Sequence, residues 1–258
     1  MTATIGSAMF DLSGRVALVT GAGRGLGRTL AIGLSRAGAD VAAVSRTSAE
    51  VGAVAAEIST TGGTASAHVV DVRDVSDIRR MVEEVEARYG RIDILVNNAG
   101  AKVPQDVLEV TEDAWDAVLG TNLRGAFFVA QAVAMGMVDR GSGKIINVAS
   151  TYAVVGAVGR ATYAASKGGL LQLTRVMALE LASKGINVNA VGPTSIETPM
   201  NRELFDDEEW RRKAVAKIPA GRFCEPEDVV GPVVFLASDA SAMVHGHLLL
   251  VDGGFTAI

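Results

Sequence analysis

Tyr163 and Lys167 stand four residues apart in Tyr163-Ala164-Ala165-Ser166-Lys167. On a helix that spacing puts both side chains on one face. A phenol with an ordinary pKa of about 10 is a poor proton acceptor at neutral pH. A lysine ammonium beside it favours the phenolate. At ~4 Å and an effective dielectric of ~20 the attraction is worth about 4 kcal/mol, which would bring the phenol towards neutrality as a general acid or base. Ser150, in Ser150-Thr151-Tyr152, adds a hydroxyl that could hold a substrate oxygen while Tyr163 passes it a proton. Tyr-x-x-x-Lys alone is a common pattern, so its weight depends on what else the chain carries.

It carries a glycine-rich turn, Thr20-Gly21-Ala22-Gly23-Arg24-Gly25-Leu26-Gly27, between an apolar run and an amphipathic stretch. Glycine is needed where backbone approaches a pyrophosphate or takes positive φ. The helix that follows offers unpaired N–H groups and a positive dipole end to an anion. The spacing G-x-G-x-x-G does not fit. T-G-x-x-x-G-x-G does, on Gly21, Gly25 and Gly27, with Arg24 and Leu26 between them. A strand-to-helix junction in a first β-α-β unit is the context a dinucleotide site requires. The next strand ends Val44-Ser45-Arg46-Thr47. An NAD-specific site places an acid there for the ribose 2′-hydroxyl; the nearest acid, Asp40, lies at the wrong end. Ser45 brings no repulsion of a 2′-phosphate, Arg46 supplies a donor pair for it, and Arg24 a second cation. The expected cofactor is NADP(H) rather than NAD(H).

The elements that must position these groups alternate. Short apolar runs at 15–20, 41–45, 67–70, 92–96, 144–149, 187–191 and 247–251 read as strands covered on both faces. Helices are expected at 25–37, 48–60, 75–89, 111–140, 162–183 and 226–238. Thr111 and Pro226 mark two of the helix starts. Repeated β-α-β predicts an α/β fold, a single doubly wound, parallel, seven-stranded Rossmann-like sheet with helices on both faces. No linker or repeat divides the chain, so residues 1–258 read as one domain. The charged excursion 192–224 reads as a substrate lid. Ser150 then falls at the carboxyl end of the fifth strand, where such sheets bind ligands.

Composition excludes other classes. The chain has 258 residues, 49% hydrophobic, with net charge −5, so disorder is not expected. A pI near 5.3 without a basic block argues against nucleic-acid binding. No apolar run reaches the ~18 residues of a membrane span, and the opening MTATIGSAMF lacks the features of a secretory leader. The single cysteine, Cys224, fits a reducing compartment. A soluble cytoplasmic protein is expected. His245 and His247 share one side of an extended segment, but without a third ligand they read as packing residues and no metal is expected. Trp115 and Trp210 read as core or lid residues.

Taken together, Thr20 to Gly27, Asp71-Val72, Asn97-Asn98-Ala99-Gly100, Asn122, Ser150, Tyr163, Lys167, Pro193, Thr198 and Val251-Asp252-Gly253-Gly254 resemble the ordered motifs of the short-chain dehydrogenase/reductase family, over about residues 12 to 254. The resemblance implies hydride transfer between a nicotinamide and a carbinol or carbonyl carbon. It implies Tyr163 as acid/base in an Asn122–Ser150–Tyr163–Lys167 tetrad, Asn122 holding a water that relays protons through Lys167. It further implies that Asp71 and Val72 contact the adenine, that Asn98, Ala99 and Gly100 line the crevice, and that Lys167 bonds the nicotinamide ribose. Pro193 would lie beside the nicotinamide, with the Ile196 backbone and Thr198 holding its carboxamide. One position departs from the pattern: Thr194 follows Pro193 where glycine is usual.

The tail from Gly246 to Gly254 and the segment from Tyr163 to Gly168 look most like the gluconate 5-dehydrogenase and sugar/polyol-dehydrogenase branch. Lys102 and Arg160 could pair with a sugar-acid carboxylate, with Tyr152 and Met200 as further substrate-facing candidates. A 3-oxoacyl-[acyl-carrier-protein] reductase shares every motif, although this chain advertises no basic surface for an acidic carrier. A non-catalytic dinucleotide-sensing scaffold is the third reading. The apolar run around Met135 and Met137 and the tail Leu248 to Val251 are expected to meet neighbouring copies in a homodimer or homotetramer.

Overall fold

The structure, a computed structural model, describes residues 7–197 and 205–257. Its strands are β1 (Val16–Thr20), β2 (Asp40–Ser45), β3 (Ala65–Val69), β4 (Ile94–Asn97), β5 (Gly143–Val148), β6 (Ile186–Pro193) and β7 (Leu248–Val251). They form one sheet in the order β3-β2-β1-β4-β5-β6-β7, and every neighbouring pair runs parallel. The order reverses between β1 and β4, which opens a crevice beyond their carboxyl ends.

The helices are α1 (Gly25–Arg36), α2 (Ser48–Thr60), α3 (Val75–Tyr89), α4 (Glu112–Leu119), α5 (Ala126–Arg140), α6 (Ala161–Leu181), α7 (Glu208–Val215) and α8 (Pro226–Ala237). Most of them cover the sheet with an apolar stripe; α7 buries no residue. On one face Leu30 and Leu34 of α1, Val54 and Ile58 of α2, and Val233 and Leu236 of α8 pack on Val19, Val41 and Val96. On the other, Ile78 and Met81 of α3, Val129 and Met137 of α5, and Met177 of α6 pack on Leu18, Leu95 and Val188. The central strands β1, β4 and β5 are buried on both faces and read as apolar runs, whereas the edge strand β3 is partly exposed.

Local chemistry sets the ends. Asp74 caps α3 by accepting from the N–H groups of Ser76 and Asp77, and Gly90 closes it in the left-handed conformation. Thr111 caps α4 through the Ala114 N–H at 3.2 Å. Pro226 opens α8 within a capping box of Glu225 and Asp228. The start signals at Thr111 and Pro226 are thus used as the sequence suggests.

The stretch expected as one helix over 111–140 is not uniform. Between α4 and α5 the chain makes a wide π-helical turn, Gly120–Gly125. The turn presses against the segment after β3, where a Cβ on Gly125 would stand 2.7 Å from the Val72 carbonyl oxygen. Only glycine permits that approach. The rod Glu112–Arg140 has the length and apolarity of a membrane span, which the sequence reading did not anticipate. Val118, Val129, Val133 and Met137 along it are buried, and α5 packs on α3 and the sheet. It is the core helix of a layered fold.

Candidate active site

Ser150 follows β5 and is buried; its Oγ accepts the Tyr152 N–H at 3.2 Å. Tyr163 lies in the first turn of α6 and Lys167 one turn later, so the i, i+4 spacing brings the two together as expected. Lys167 is 3% exposed. Its Nζ donates to the Val148 carbonyl at 2.6 Å and lies 5.7 Å from the centre of the Tyr163 ring. Burial lowers the Lys167 pKa to about 8.

The phenol itself departs from expectation. Burial raises the Tyr163 pKa, against the pull of hydrogen bonding from Ser150. The neighbouring Tyr152 raises it further, and Arg160 opposes. The Lys167 ammonium donates to the Val148 carbonyl and lies over the Tyr163 ring, and burial outweighs the groups that lower the phenol. In this arrangement the lysine is the group poised near neutral pH.

Asn122 stands behind these residues, in the π-helical turn. Its Oδ1 accepts the Ala101 N–H at 2.7 Å, and its Nδ2 donates to the Ala101 carbonyl at 2.9 Å and to Ser166 Oγ at 3.0 Å. Ser166 Oγ donates in turn to the Tyr163 carbonyl at 2.7 Å. The side chain therefore ties the loop after β4 to the first turn of α6.

The glycine-rich turn joins β1 to α1. A Cβ on Gly27 would lie 2.1 Å from the Gly21 carbonyl oxygen, and one on Gly21 2.8 Å from Ala99 Cα, so the backbones meet without room for side chains. Asn98 Nδ2 donates to the carbonyls of Thr20 and Gly21 at 3.0 and 3.2 Å and pins the turn to β4. This cradle at a helix N-terminus fits a pyrophosphate.

One crevice collects most of the expected residues. Gly21, Arg24, Gly25, Leu26 and Gly27 line its floor, with Ser45, Arg46, Asp71 and Val72 at one end and Asn98, Ala99 and Gly100 along its wall. Ser150, Tyr152, Arg160, Tyr163, Lys167, Pro193 and Ile196 line the other end, and Lys102 joins them. Thr198 and Met200 lie outside the described residues. Asp71 is gripped by Arg73 at 2.6 Å, which holds its carboxyl below the usual range, with Arg46 adding to the effect. Thr194 needs no special backbone: no described non-glycine residue has positive φ, and the Thr194 N–H donates to the Val251 carbonyl at 3.2 Å.

Lys102 is half-buried, and its pKa is lowered by burial and by the charge of Arg160. Among the described residues neither cation forms an ion pair within 4.0 Å. Two positive charges at the Ser150–Tyr163 end of the crevice, away from the acids Glu50 and Asp71 beside the glycine turn and β2, suit an anionic ligand group.

Among the lining residues not singled out for the site from sequence are Glu50, Phe205 and Trp210. Trp210, on α7, stacks on Phe223 with ring centres 5.8 Å apart, and Phe205 packs on both. The lid reading of Trp210 hinted at this wall. Nothing marked Phe205, and Glu50 carried only the ordinary signature of a first-turn acid. Cys224 is buried, with its thiol pushed up to about 11 chiefly by desolvation, so it is a poor nucleophile. His245 Nε2 engages Asn187 Nδ2 at 3.0 Å. Among the described residues no group of His, Cys, Asp and Glu gathers into a metal site.

A parallel sheet with a glycine-rich first turn, and a Tyr–Lys pair and a serine at its carboxyl edge, defines a dinucleotide-dependent dehydrogenase fold. The family model described as enoyl-(acyl carrier protein) reductase matches residues 21–256. The chain belongs to the short-chain dehydrogenase/reductase family, whose members are oxidoreductases. It is 42% identical to the 2-dehydro-3-deoxy-D-gluconate 5-dehydrogenase of Pseudoalteromonas atlantica, covering 95% of this chain and 97% of that one. It is 40% identical to a 3-oxoacyl-[acyl-carrier-protein] reductase of Thermotoga maritima, covering 94% and 98%. Among solved structures, the gluconate 5-dehydrogenase of Burkholderia cenocepacia in complex with NADP and tartrate aligns with a TM-score of 0.95 at 41% identity, covering 98% of this chain and 99% of that one.

Proposed function

We propose that this chain is an NADP(H)-dependent oxidoreductase acting on a secondary alcohol or carbonyl of a sugar acid or polyol. The observation that carries this reading is the meeting, in one crevice, of Ser150, Tyr163 and Lys167 with Lys102 and Arg160, two cations without an ion pair among the described residues. Relatives that act on gluconate derivatives, and a neighbour holding NADP and tartrate, support it.

When bound, the nicotinamide supplies or accepts the hydride. The chain does the rest. The glycine cradle and the α1 N-terminus hold the pyrophosphate; Arg46 and Arg24 face the ribose 2′ position; Asp71 and Val72 face the adenine. Ser150 holds the substrate oxygen and Tyr163 gives that oxygen a proton in reduction or takes it in oxidation. Lys167 shuttles the proton onward, and Asn122 positions α6 against the loop after β4. Ile196 and Thr198 hold the carboxamide. Lys102 and Arg160 grip a carboxylate with Tyr152 beside them, and the described part of the excursion after β6, through Phe205 and Trp210, walls the pocket of a single domain. Apolar side chains exposed on α5 and α6 support a homodimer or homotetramer, and the lone, buried Cys224 supports a cytoplasmic setting.

The test is a panel of aldonates, ketoaldonates, polyols and 3-oxoacyl thioesters with NADP⁺ and NADPH. Aldonates or ketoaldonates turn over best, and Lys102→Gln lowers their kcat/KM by about tenfold or more while sparing neutral polyols. Preference for 3-oxoacyl thioesters assigns the carrier-protein reduction instead. Binding of NADPH without turnover on any substrate assigns a sensing scaffold.

A further inference from the structure

The adenosine end of the crevice holds a carboxylate where the cofactor reading places a phosphate. Glu50 lies in the first turn of α2. A Cβ on Gly23 would fall 3.0 Å from Glu50 Oε2 and 2.9 Å from Ser45 Oγ. The glycine turn, the Ser45 hydroxyl and the Glu50 carboxylate therefore converge on one point. Ser45 ends β2, the position from which dinucleotide folds read the ribose 2′ substituent. Arg24 Nη1 stands 3.5 Å from Glu50 Oε1, a long contact between exposed groups and a weak one. Asp71, the other acid at this end, is already held by Arg73.

An acid in a first turn complements the helix dipole, and Thr47 gives α2 no side-chain cap. That accounts for an acidic residue at this position. It does not account for its direction, over the glycine turn and onto Arg24.

We propose that Glu50 is a specificity-determining residue that restrains the preference for the 2′-phosphorylated cofactor. When the 2′ substituent is a hydroxyl, Arg24 stays with Glu50 and no charge is stranded. When it is a phosphate, Arg24 must leave Glu50 for it, and the carboxylate faces a like charge. Arg46, which has no ion pair among the described residues, supplies the attraction that Glu50 offsets. The inference rests on the cofactor reading above, and the enzyme accordingly works with both dinucleotides.

The test is kcat/KM for NADPH and for NADH with one carbonyl substrate, in the wild type and in Glu50→Gln. Removing the charge raises kcat/KM for NADPH about tenfold, mainly through KM, and leaves NADH within about twofold. The gain shrinks as salt rises from 0.05 to 0.5 M, because an exposed charge is screened. Adding Arg24→Gln to Glu50→Gln abolishes most of it. An NADPH/NADH ratio unchanged within twofold overturns the proposal, as does an equal gain or loss with both cofactors, which would mark Glu50 as a helix residue only. A wild type that prefers NADH overturns the cofactor reading alone, since the shift in ratio still decides the role of Glu50.

Discussion

At the scale of single residues, the proton chemistry belongs to a pair rather than to a tyrosine. Burial raises the phenol of Tyr163 and lowers the ammonium of Lys167 to about 8. Of the two, Lys167 is the group that gives up its proton near 8. Below about 8 the lysine keeps its proton and the relay from Tyr163 is blocked. Above it the relay opens. Alcohol oxidation therefore rises as pH climbs through about 8 and then levels, while carbonyl reduction, which consumes a proton, falls over the same range. Initial rates in both directions from pH 6 to 10 check this, and a flat oxidation profile contradicts it. Residue types and the i, i+4 spacing were legible in the sequence because helix geometry fixes them. The hydrogen bond from Lys167 to Val148 was not, because it depends on where β5 ends relative to α6. The convergence of Lys102 on Arg160 was guessed as a shared ligand and is now seen as a shared place.

At the scale of elements, strands buried on both faces leave a plain trace, and the expected runs overlap all seven strands. The π-helical turn left no such trace. Apolar periodicity continues through 111–140, and the widening only shifts its phase at Gly120 to Gly125. Yet that turn carries Asn122 to the back of the site, as π turns often do at functional positions. The outer faces of α5 and α6 hold a second message. Met135 is 69% exposed and Leu179 82% exposed, more apolar surface than helices facing solvent usually show. The proposed homodimer or homotetramer would bury these faces against a second copy. Light scattering at micromolar concentration gives at least twice the chain mass of 26.7 kDa, and Leu179→Glu lowers it. A wild-type monomer contradicts this.

At the scale of the whole molecule, the sheet order places the carboxyl ends of β1 to β6 around one crevice, and that crevice receives most of the residues expected at the site. The fold was readable because alternating β and α units leave few right-handed arrangements. The far wall was not, because Phe205, Trp210 and Phe223 meet only through the path of the excursion after β6. The chain has just three tyrosines. Of these, Tyr163 alone sits beside both a buried lysine and a serine hydroxyl, so the central claim is that its hydroxyl carries the proton that accompanies hydride transfer. The most direct measurement compares kcat and the NADPH dissociation constant of Tyr163→Phe with the wild type. The account predicts a fall in kcat of about 10²- to 10⁴-fold, with cofactor affinity within a few fold. A variant that keeps more than half of the wild-type kcat contradicts it.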